Sequence, residues 1–267
     1  MTQNSTLNRE FGRLAFGSDP AGYHAARPGY PNWVFEMLAE RGCFAGGTRT
    51  FEIGAGTGIA TQRLLEFGAY PLAVIESDRR MAEYLAASMP EANLEIYSIP
   101  FEEAELPEGL FDLGFSATAF HWLDEPVALQ KIARLLRPGG WWGMVWNVYR
   151  NPDRESLFHE ATKHLLDDVL SPSQGADNVP YALDFNARLT ALEESDAFEA
   201  IEYRVDEWPL VLTAEQTMAL YATYSPISIL PDRNKLLAEL GKIAKEQFDN
   251  RVIKEMVTCL YVARRRP

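Results

Sequence analysis

Residues 51–58 read Phe51-Glu52-Ile53-Gly54-Ala55-Gly56-Thr57-Gly58, an apolar strand running directly into three glycines at alternate positions. Glycine lacks a Cβ, so a strand can turn sharply there and the backbone can lie against a flat ligand. The helix that follows would aim its free N–H groups at the same place. Gly54, Gly56 and Gly58 therefore predict a nucleotide-like cofactor at the end of the first strand of an α/β sheet.

The spacing narrows the cofactor. A dinucleotide fingerprint reads G-x-G-x-x-G, which would put its third glycine at Ile59; here Gly58 comes one residue early and Glu52 stands two before Gly54. E-x-G-x-G-x-G resembles the first motif of the class I S-adenosylmethionine (SAM) methyltransferases. That resemblance implies that Glu52, Gly54, Ala55, Gly56 and Gly58 surround the methionine half of SAM.

The next signals follow in order. A second strand, Leu72–Ile75, ends at Glu76, one helix and one strand after Gly56. A carboxylate at the tip of strand two can accept both ribose hydroxyls. Glu76 is assigned that role with Ser77 beside it, and Asp78 is read as the cap of a helix beginning near Arg79. A third strand, Leu94–Tyr97, leads to Pro100-Phe101-Glu102-Glu103. The resemblance implies that Glu102 binds the adenine amino group and Phe101 covers the ring; a solvated acidic loop is the alternative. Strand four, Leu110–Phe115, runs into Ser116-Ala-Thr-Ala-Phe-His121-Trp122, then a helix over 126–136, a turn Arg137-Pro-Gly-Gly140 and strand five, Trp141–Trp146. The order F-D-x-x-F, F-H-W, L-L-R-P-G-G resembles the later motifs of the same superfamily over about residues 20–150. It is nearest a branch of small-molecule methyltransferases that includes the trans-aconitate enzymes, which carry a segment like Tyr23-His-Ala-Ala-Arg27-Pro28-Gly-Tyr30-Pro31.

The expected architecture is a Rossmann-like seven-stranded sheet in the order 3-2-1-4-5-7-6, last strand antiparallel, flanked by helices. Residues 1–45 form an N-terminal helical segment and 46–150 the SAM-binding core of a single domain. Residues 151–197 and 206–250 supply lid elements. Helices are predicted over 154–170, 186–194, 213–224 and 231–248, with strands over 198–205 and 255–262. Pro209 should limit pairing, and Thr213-Ala-Glu-Gln216 reads as a capping box. The helices between strands six and seven form a cap.

With 267 residues the chain can bury a sizeable core. A net charge of −13 repels phosphate backbones and argues against nucleic acid as substrate. Cys43 and Cys259, the only two cysteines, read as reduced core thiols. The first ten residues are polar and no apolar run approaches a membrane span. A cytoplasmic protein, acting without membrane or nucleic-acid partners, is expected.

Methyl transfer from SAM is an in-line displacement, so alignment and exclusion of water are the main tasks. A base is needed only when the nucleophile arrives protonated. His121 is the one histidine near the expected site; it is a candidate base or, with Trp122, a wall of the acceptor pocket. Ser116 stands where the metal-dependent branch of the superfamily has an acid, so no metal is expected. Arg27 is a candidate partner for a carboxylate and Tyr23 a candidate cover for the sulfonium. The same segment reads equally as a turn anchored by Tyr30. Asn147, at the end of strand five, and Tyr221 and Tyr224, in the cap, complete the acceptor-side candidates, although i, i+3 tyrosines also suit core packing.

The function these residues imply is methyl transfer from SAM to a small molecule, on a carboxylate or hydroxyl oxygen. A non-catalytic SAM-binding sensor or partner subunit is the alternative. A nicotinamide dehydrogenase lacks its third glycine here.

Overall fold

The structure, a computed structural model, describes residues 16–149, 154, 156–167, 169 and 179–267. Seven strands, β1 (Thr48–Ile53), β2 (Ala69–Ile75), β3 (Glu95–Tyr97), β4 (Phe111–Ala117), β5 (Leu136–Val148), β6 (Phe198–Leu212) and β7 (Val252–Arg265), form one sheet. Its order is β3-β2-β1-β4-β5-β7-β6, as expected. β1 pairs in parallel with β2 and β4, β2 with β3, and β4 with β5; the last strands are antiparallel. β1, β2 and β4 are mostly buried because helices cover both faces of a parallel sheet.

The first five helices in chain order are α1 (Pro20–Ala26), α2 (Asn32–Glu40), α3 (Ile59–Glu66), α4 (Arg79–Ser88) and α5 (Glu125–Leu135). Asp78 caps α4 by accepting from Arg80 N–H at 2.9 Å, the role expected of it. Further on come α6 (Leu157–Leu166), α7 (Phe185–Glu194), α8 (Ala214–Ala222), α9 (Ser225–Ser228) and α10 (Arg233–Gln247). The last three lie between β6 and β7 in sequence, where the cap was expected. The capping box at Thr213 and Gln216 is formed on both sides.

Contacts divide the chain into two compact units. Among the described residues, one comprises 29–146, 181–205 and 259–267; the other comprises 16–28, 147–149, 154, 156–167, 169, 179–180 and 206–258. The first has a core in which Phe35 and Leu38 of α2, Leu64 of α3 and Leu85 of α4 pack with Leu72 and Val74 of β2 and Phe115 of β4. The second gathers Phe158 of α6, Leu220 and Tyr221 of α8, and Leu240 and Ala244 of α10 around Val252.

Four expectations need correction. Arg137-Pro-Gly-Gly140 is not a turn ahead of strand five but lies inside β5. The ladder steps from Phe111↔Leu136 to Leu113↔Trp141, so the four residues are absorbed as an irregularity against β4. β6 does not stop at Val205 but continues through Pro209 to Leu212. Its place at the sheet edge explains this, since an outward-facing position needs no N–H. β7 is longer than expected at both ends. The helix expected from Arg154 begins at Leu157, because Ser156 is still extended (φ −73°, ψ 126°). The segment 171–178, whose Ser, Pro, Gly and Asn content reads as a loop, lies outside the described residues.

Candidate active site

β1 ends at Ile53 and the chain turns through Gly54, Gly56 and Gly58, whose φ angles are +69°, +56° and +89°. Side chains rarely adopt these angles. Gly54 and Gly56 need glycine for different reasons. A Cβ on Gly54 would stand 2.3 Å from the Cβ of Ala119, so that glycine permits close packing. A Cβ on Gly56 would meet nothing within 4 Å. The backbone is therefore bare on that side of Gly56, and Ala55 beside it is buried.

Glu76 braces this turn. One carboxylate oxygen accepts from Gly56 N–H at 2.8 Å and the other from Asp78 N–H at 2.7 Å. The tip of β2 is thus tied to the glycine turn across 20 residues of chain. Burial raises the Glu76 carboxyl above its ordinary range, against the pull of the Asp78, Gly56 and Ser77 N–H groups. Each oxygen keeps a further lone pair, so two more hydrogen bonds can be accepted. Burial also pushes Asp78 upward, but Arg80, whose guanidinium lies 2.6 Å away, outweighs it and holds Asp78 low. Ser77 lies half-buried between the two acids.

Two further candidates lie beneath the turn. Glu52 is wholly buried and accepts from Thr61 Oγ at 2.6 Å, while its other oxygen has no partner. Burial pushes its carboxyl up to about 7. Ser116, also wholly buried, donates to the Ile53 carbonyl at 3.0 Å and fastens β4 to the end of β1. Both support the turn from behind.

Phe101 is buried with the Lys131 ammonium 4.8 Å from its ring centroid. The same ammonium donates to the carbonyls of Phe101, Glu102 and Ala104. Lys131 of α5 therefore shapes the loop that carries exposed Glu102, and both loop residues border a groove of about 510 Å³ along α5.

His121 sits on a short 3-10 turn, Phe120–Trp122. Trp146 Nε1–H donates to its Nδ1 at 3.0 Å. Nδ1 is thus an acceptor, and the neutral ring carries its proton on Nε2. Burial lowers the imidazole to about 4. At neutral pH His121 is a hydrogen-bond donor through Nε2, and its basic nitrogen is already engaged. Trp122 lies 4.7 Å from the ring, centroid to centroid, and Tyr181 6.0 Å. Replacing Trp146 with Phe is expected to release Nδ1 and yield a mixture of tautomers. Nitrogen-15 shifts of labelled histidine will show it; in the parent protein they should report an unprotonated Nδ1 down to about pH 5.

Sequence reasoning missed Tyr181 and Arg188. The Arg188 guanidinium lies 3.6 Å from the Tyr181 ring centroid and 2.9 Å from Glu125, in a nearly buried ion pair. No motif marks either residue; Arg188 merely interrupts an otherwise ordinary helix face. Tyr30, read as an anchor, is hydrogen-bonded to Thr118 at 2.8 Å.

The remaining candidates belong to the second unit. Asn147 accepts from Thr258 Oγ at 2.7 Å, and Thr258 accepts in turn from Trp208 Nε1 at 2.8 Å. Tyr23, Arg27 and Tyr224 come together: the guanidinium lies 5.0 Å from the Tyr23 ring, 4.9 Å from Tyr149 and 5.3 Å from Tyr224. Tyr221 stands beside Tyr224, with ring centroids 5.1 Å apart. Sequence reasoning missed Tyr149 and, more importantly, Lys254, whose ammonium lies 3.2 Å from the Tyr221 hydroxyl.

Among the described residues no three His, Cys, Asp or Glu side chains are grouped to hold a metal ion, and no helix is long and apolar enough to cross a membrane. Both cysteines are buried free thiols, each pushed up to about 12 by burial.

Residues 51–143 match the family model described as a methyltransferase domain. An uncharacterized methyltransferase of Mycobacterium tuberculosis is 36% identical over 143 residues, covering 54% of this chain and 56% of its own length. The chain thus spans about half the length of that relative. An uncharacterized methyltransferase-like protein of Schizosaccharomyces pombe is 27% identical over 235 residues, 86% of each chain. Among solved structures, the Haemonchus contortus phosphoethanolamine N-methyltransferase 2 in complex with S-adenosyl-L-methionine matches with a TM-score of 0.54 at 17% identity, over 100% of this chain and 58% of its own. Residues 51–143 thus match a methyltransferase domain, on the Rossmann-like sheet order of the class I SAM-dependent methyltransferases. Methyltransferases of that fold use SAM.

Proposed function

We propose that this chain transfers a methyl group from SAM, by in-line displacement, to an oxygen of a small molecule, a carboxylate or hydroxyl. The observation that carries the cofactor half is Gly56: a left-handed residue with open space where a side chain would stand, held in place by Glu76. The residues fit the group. The glycine turn would pass its methionine half, Glu76 with Ser77 its ribose, and Phe101 with Glu102 its adenine. Glu52 and Ser116 would hold the turn from behind. When bound, SAM supplies a methyl on a positively charged sulfur, activated for displacement.

The chain's own contribution is then alignment and exclusion of water. Trp122 and Asn147 are read as acceptor-side residues, with Tyr221 and Tyr224. His121 would donate a hydrogen bond to the acceptor and take up no proton. An acceptor that arrives as a carboxylate needs no base, which agrees with the neutral, already engaged imidazole. The likeness of the Tyr23–Pro31 segment to the trans-aconitate branch supports the same acceptor class.

The test is calorimetric titration with SAM and S-adenosylhomocysteine, followed by transfer of labelled methyl to a panel of carboxylic acids and alcohols. Gly56→Ala is the control. It meets no clash, so the protein should fold with a loss of only about 1–2 kcal/mol for the left-handed residue. The new methyl occupies the ligand's face, and affinity should fall by about 100-fold or more. A folded parent protein that binds neither compound would overturn the reading.

A further inference from the structure

Among the described residues, half-buried Arg27 and buried Lys254 are cations with no acidic partner. Arg27 ends α1, where the Arg-Pro sequence forces the chain out of the helix (φ −81°, ψ 130°). One of its terminal nitrogens donates to the Thr223 carbonyl at 3.1 Å; its Nε is sealed from solvent and bonded to nothing. Lys254 lies on β7 with 8% of its surface exposed. Its ammonium is 4.7 Å from the Tyr221 ring centroid and 5.9 Å from that of Tyr224. Tyr224 is therefore flanked by both cations, and the Tyr149 ring stands 5.7 Å from it.

Among the described residues no carboxylate lies within 4.0 Å of either cation. That is unexpected in a chain with 38 acidic and 25 basic residues. Burying a charge is costly unless it is paired. Tyrosine faces compensate only in part. Burial pushes the Tyr224 hydroxyl up to about 12 despite the nearby lysine, so it offers a proton and no charge. Burial works against the charged form of Lys254, and its hydrogen bond to the Tyr221 hydroxyl, 3.2 Å away, favours it. Two cations and several O–H donors, with no anion beside them among the described residues, form half of an ion pair. Arg27, Tyr23, Tyr149 and Tyr224 each keep part of their surface open, so a small ligand can reach them.

We propose that Lys254, with Arg27 and the tyrosines around them, binds the carboxylate of a small molecule with an apolar or flat body. Two molecules of the methyl-transfer reading, on which the identity of the ligand rests, carry such a group: the amino-acid tail of SAM and a carboxylate acceptor.

The experiment uses the full chain as the parent, Lys254→Met and Lys254→Arg. Thermal denaturation is followed alone and with malonate, benzoate or inorganic phosphate, each with and without SAM. Calorimetry compares SAM with methylthioadenosine, which has the same nucleoside and no carboxylate. Lys254→Met removes an unpaired buried charge, so the ligand-free protein should melt no lower than the parent. It should also lose carboxylate affinity by about 30-fold or more, and Lys254→Arg should keep most of it. A loss confined to SAM, with methylthioadenosine unaffected, assigns the site to the cofactor tail. Unchanged SAM affinity with loss of the malonate or benzoate response assigns it to the acceptor.

The proposal is overturned if the folded Met variant matches the parent toward SAM and every carboxylate, or if phosphate stabilises the parent as strongly as carboxylates do. A parent that fails to bind SAM but shows a Lys254-dependent carboxylate response would refute the methyl-transfer reading and leave this site standing.

Discussion

Replacing Glu76 with alanine is expected to weaken SAM binding by about 100- to 1,000-fold, the largest effect of any single side chain in the site. Two losses add. The Gly56 and Asp78 N–H groups, now held at 2.8 and 2.7 Å, lose their acceptor. A buried donor left unsatisfied costs about 1–3 kcal/mol. Hydrogen bonds from ligand hydroxyls to a charged carboxylate contribute about 1.5–3 kcal/mol each. The first loss lowers the melting temperature and loosens the turn; the second appears only in affinity.

Glutamine is an informative control and should not rescue. Both oxygens of Glu76 face N–H donors, so an amide must set its NH2 against one of them. Glu76→Gln should therefore bind SAM far more weakly than the parent despite its near-identical shape. Calorimetry with SAM and S-adenosylhomocysteine measures both variants. Parent-like affinity in Glu76→Ala, with a normal melting curve, would remove Glu76 from the cofactor site.

How much of this was legible in the sequence follows from the reach of each signal. The glycine turn, the Asp78 cap and the Thr213 capping box are local: residues two to four apart decide them. All three appear in the structure as read. The sheet order followed from motifs in a fixed sequence. The failures were tertiary. A proline that reads as a strand end is harmless on an edge strand, and only the position of β6 in the sheet reveals that. Arg137–Gly140 reads as a turn because of its composition, whereas pairing with β4 draws it into β5. Lys254 lies in an apolar strand with no motif around it; its partners, Tyr221 and Tyr224, are about thirty residues away. His121 was found from its neighbours Phe120 and Trp122. Its tautomer depends on Trp146, which spacing alone could not place against its ring.

Glu52→Gln should change the pH dependence of stability more than its absolute level. Glu52 is wholly buried, with one oxygen held by Thr61 and the other bonded to nothing. Burial, with the nearby Glu76 charge adding to it, lifts its carboxyl from 4.5 to about 7. The folded state thus holds a proton that the unfolded chain has already released. Below about pH 4 both states are protonated and there is no penalty. As pH rises through 4.5 the unfolded chain ionises, and stability falls until Glu52 itself ionises near 7. Integrated over that window, the loss is about 3 kcal/mol at pH 8.

Glutamine cannot ionise, so this loss disappears. The variant carries a separate, pH-independent cost, because its NH2 must occupy the place of an oxygen that has no partner. The sign of the effect at any one pH therefore depends on that offset, but the difference between two values of pH does not. The stability of Glu52→Gln relative to the parent should rise by about 3 kcal/mol between pH 4 and pH 8. For a chain of this length that is a relative shift of about 6–12 °C in melting temperature. Urea denaturation of both proteins at several pH values checks it. Parallel pH profiles for the two would mean that Glu52 ionises as freely in the fold as in the unfolded chain. The acid beneath the glycine turn would then owe its place to the hydrogen bond from Thr61 alone.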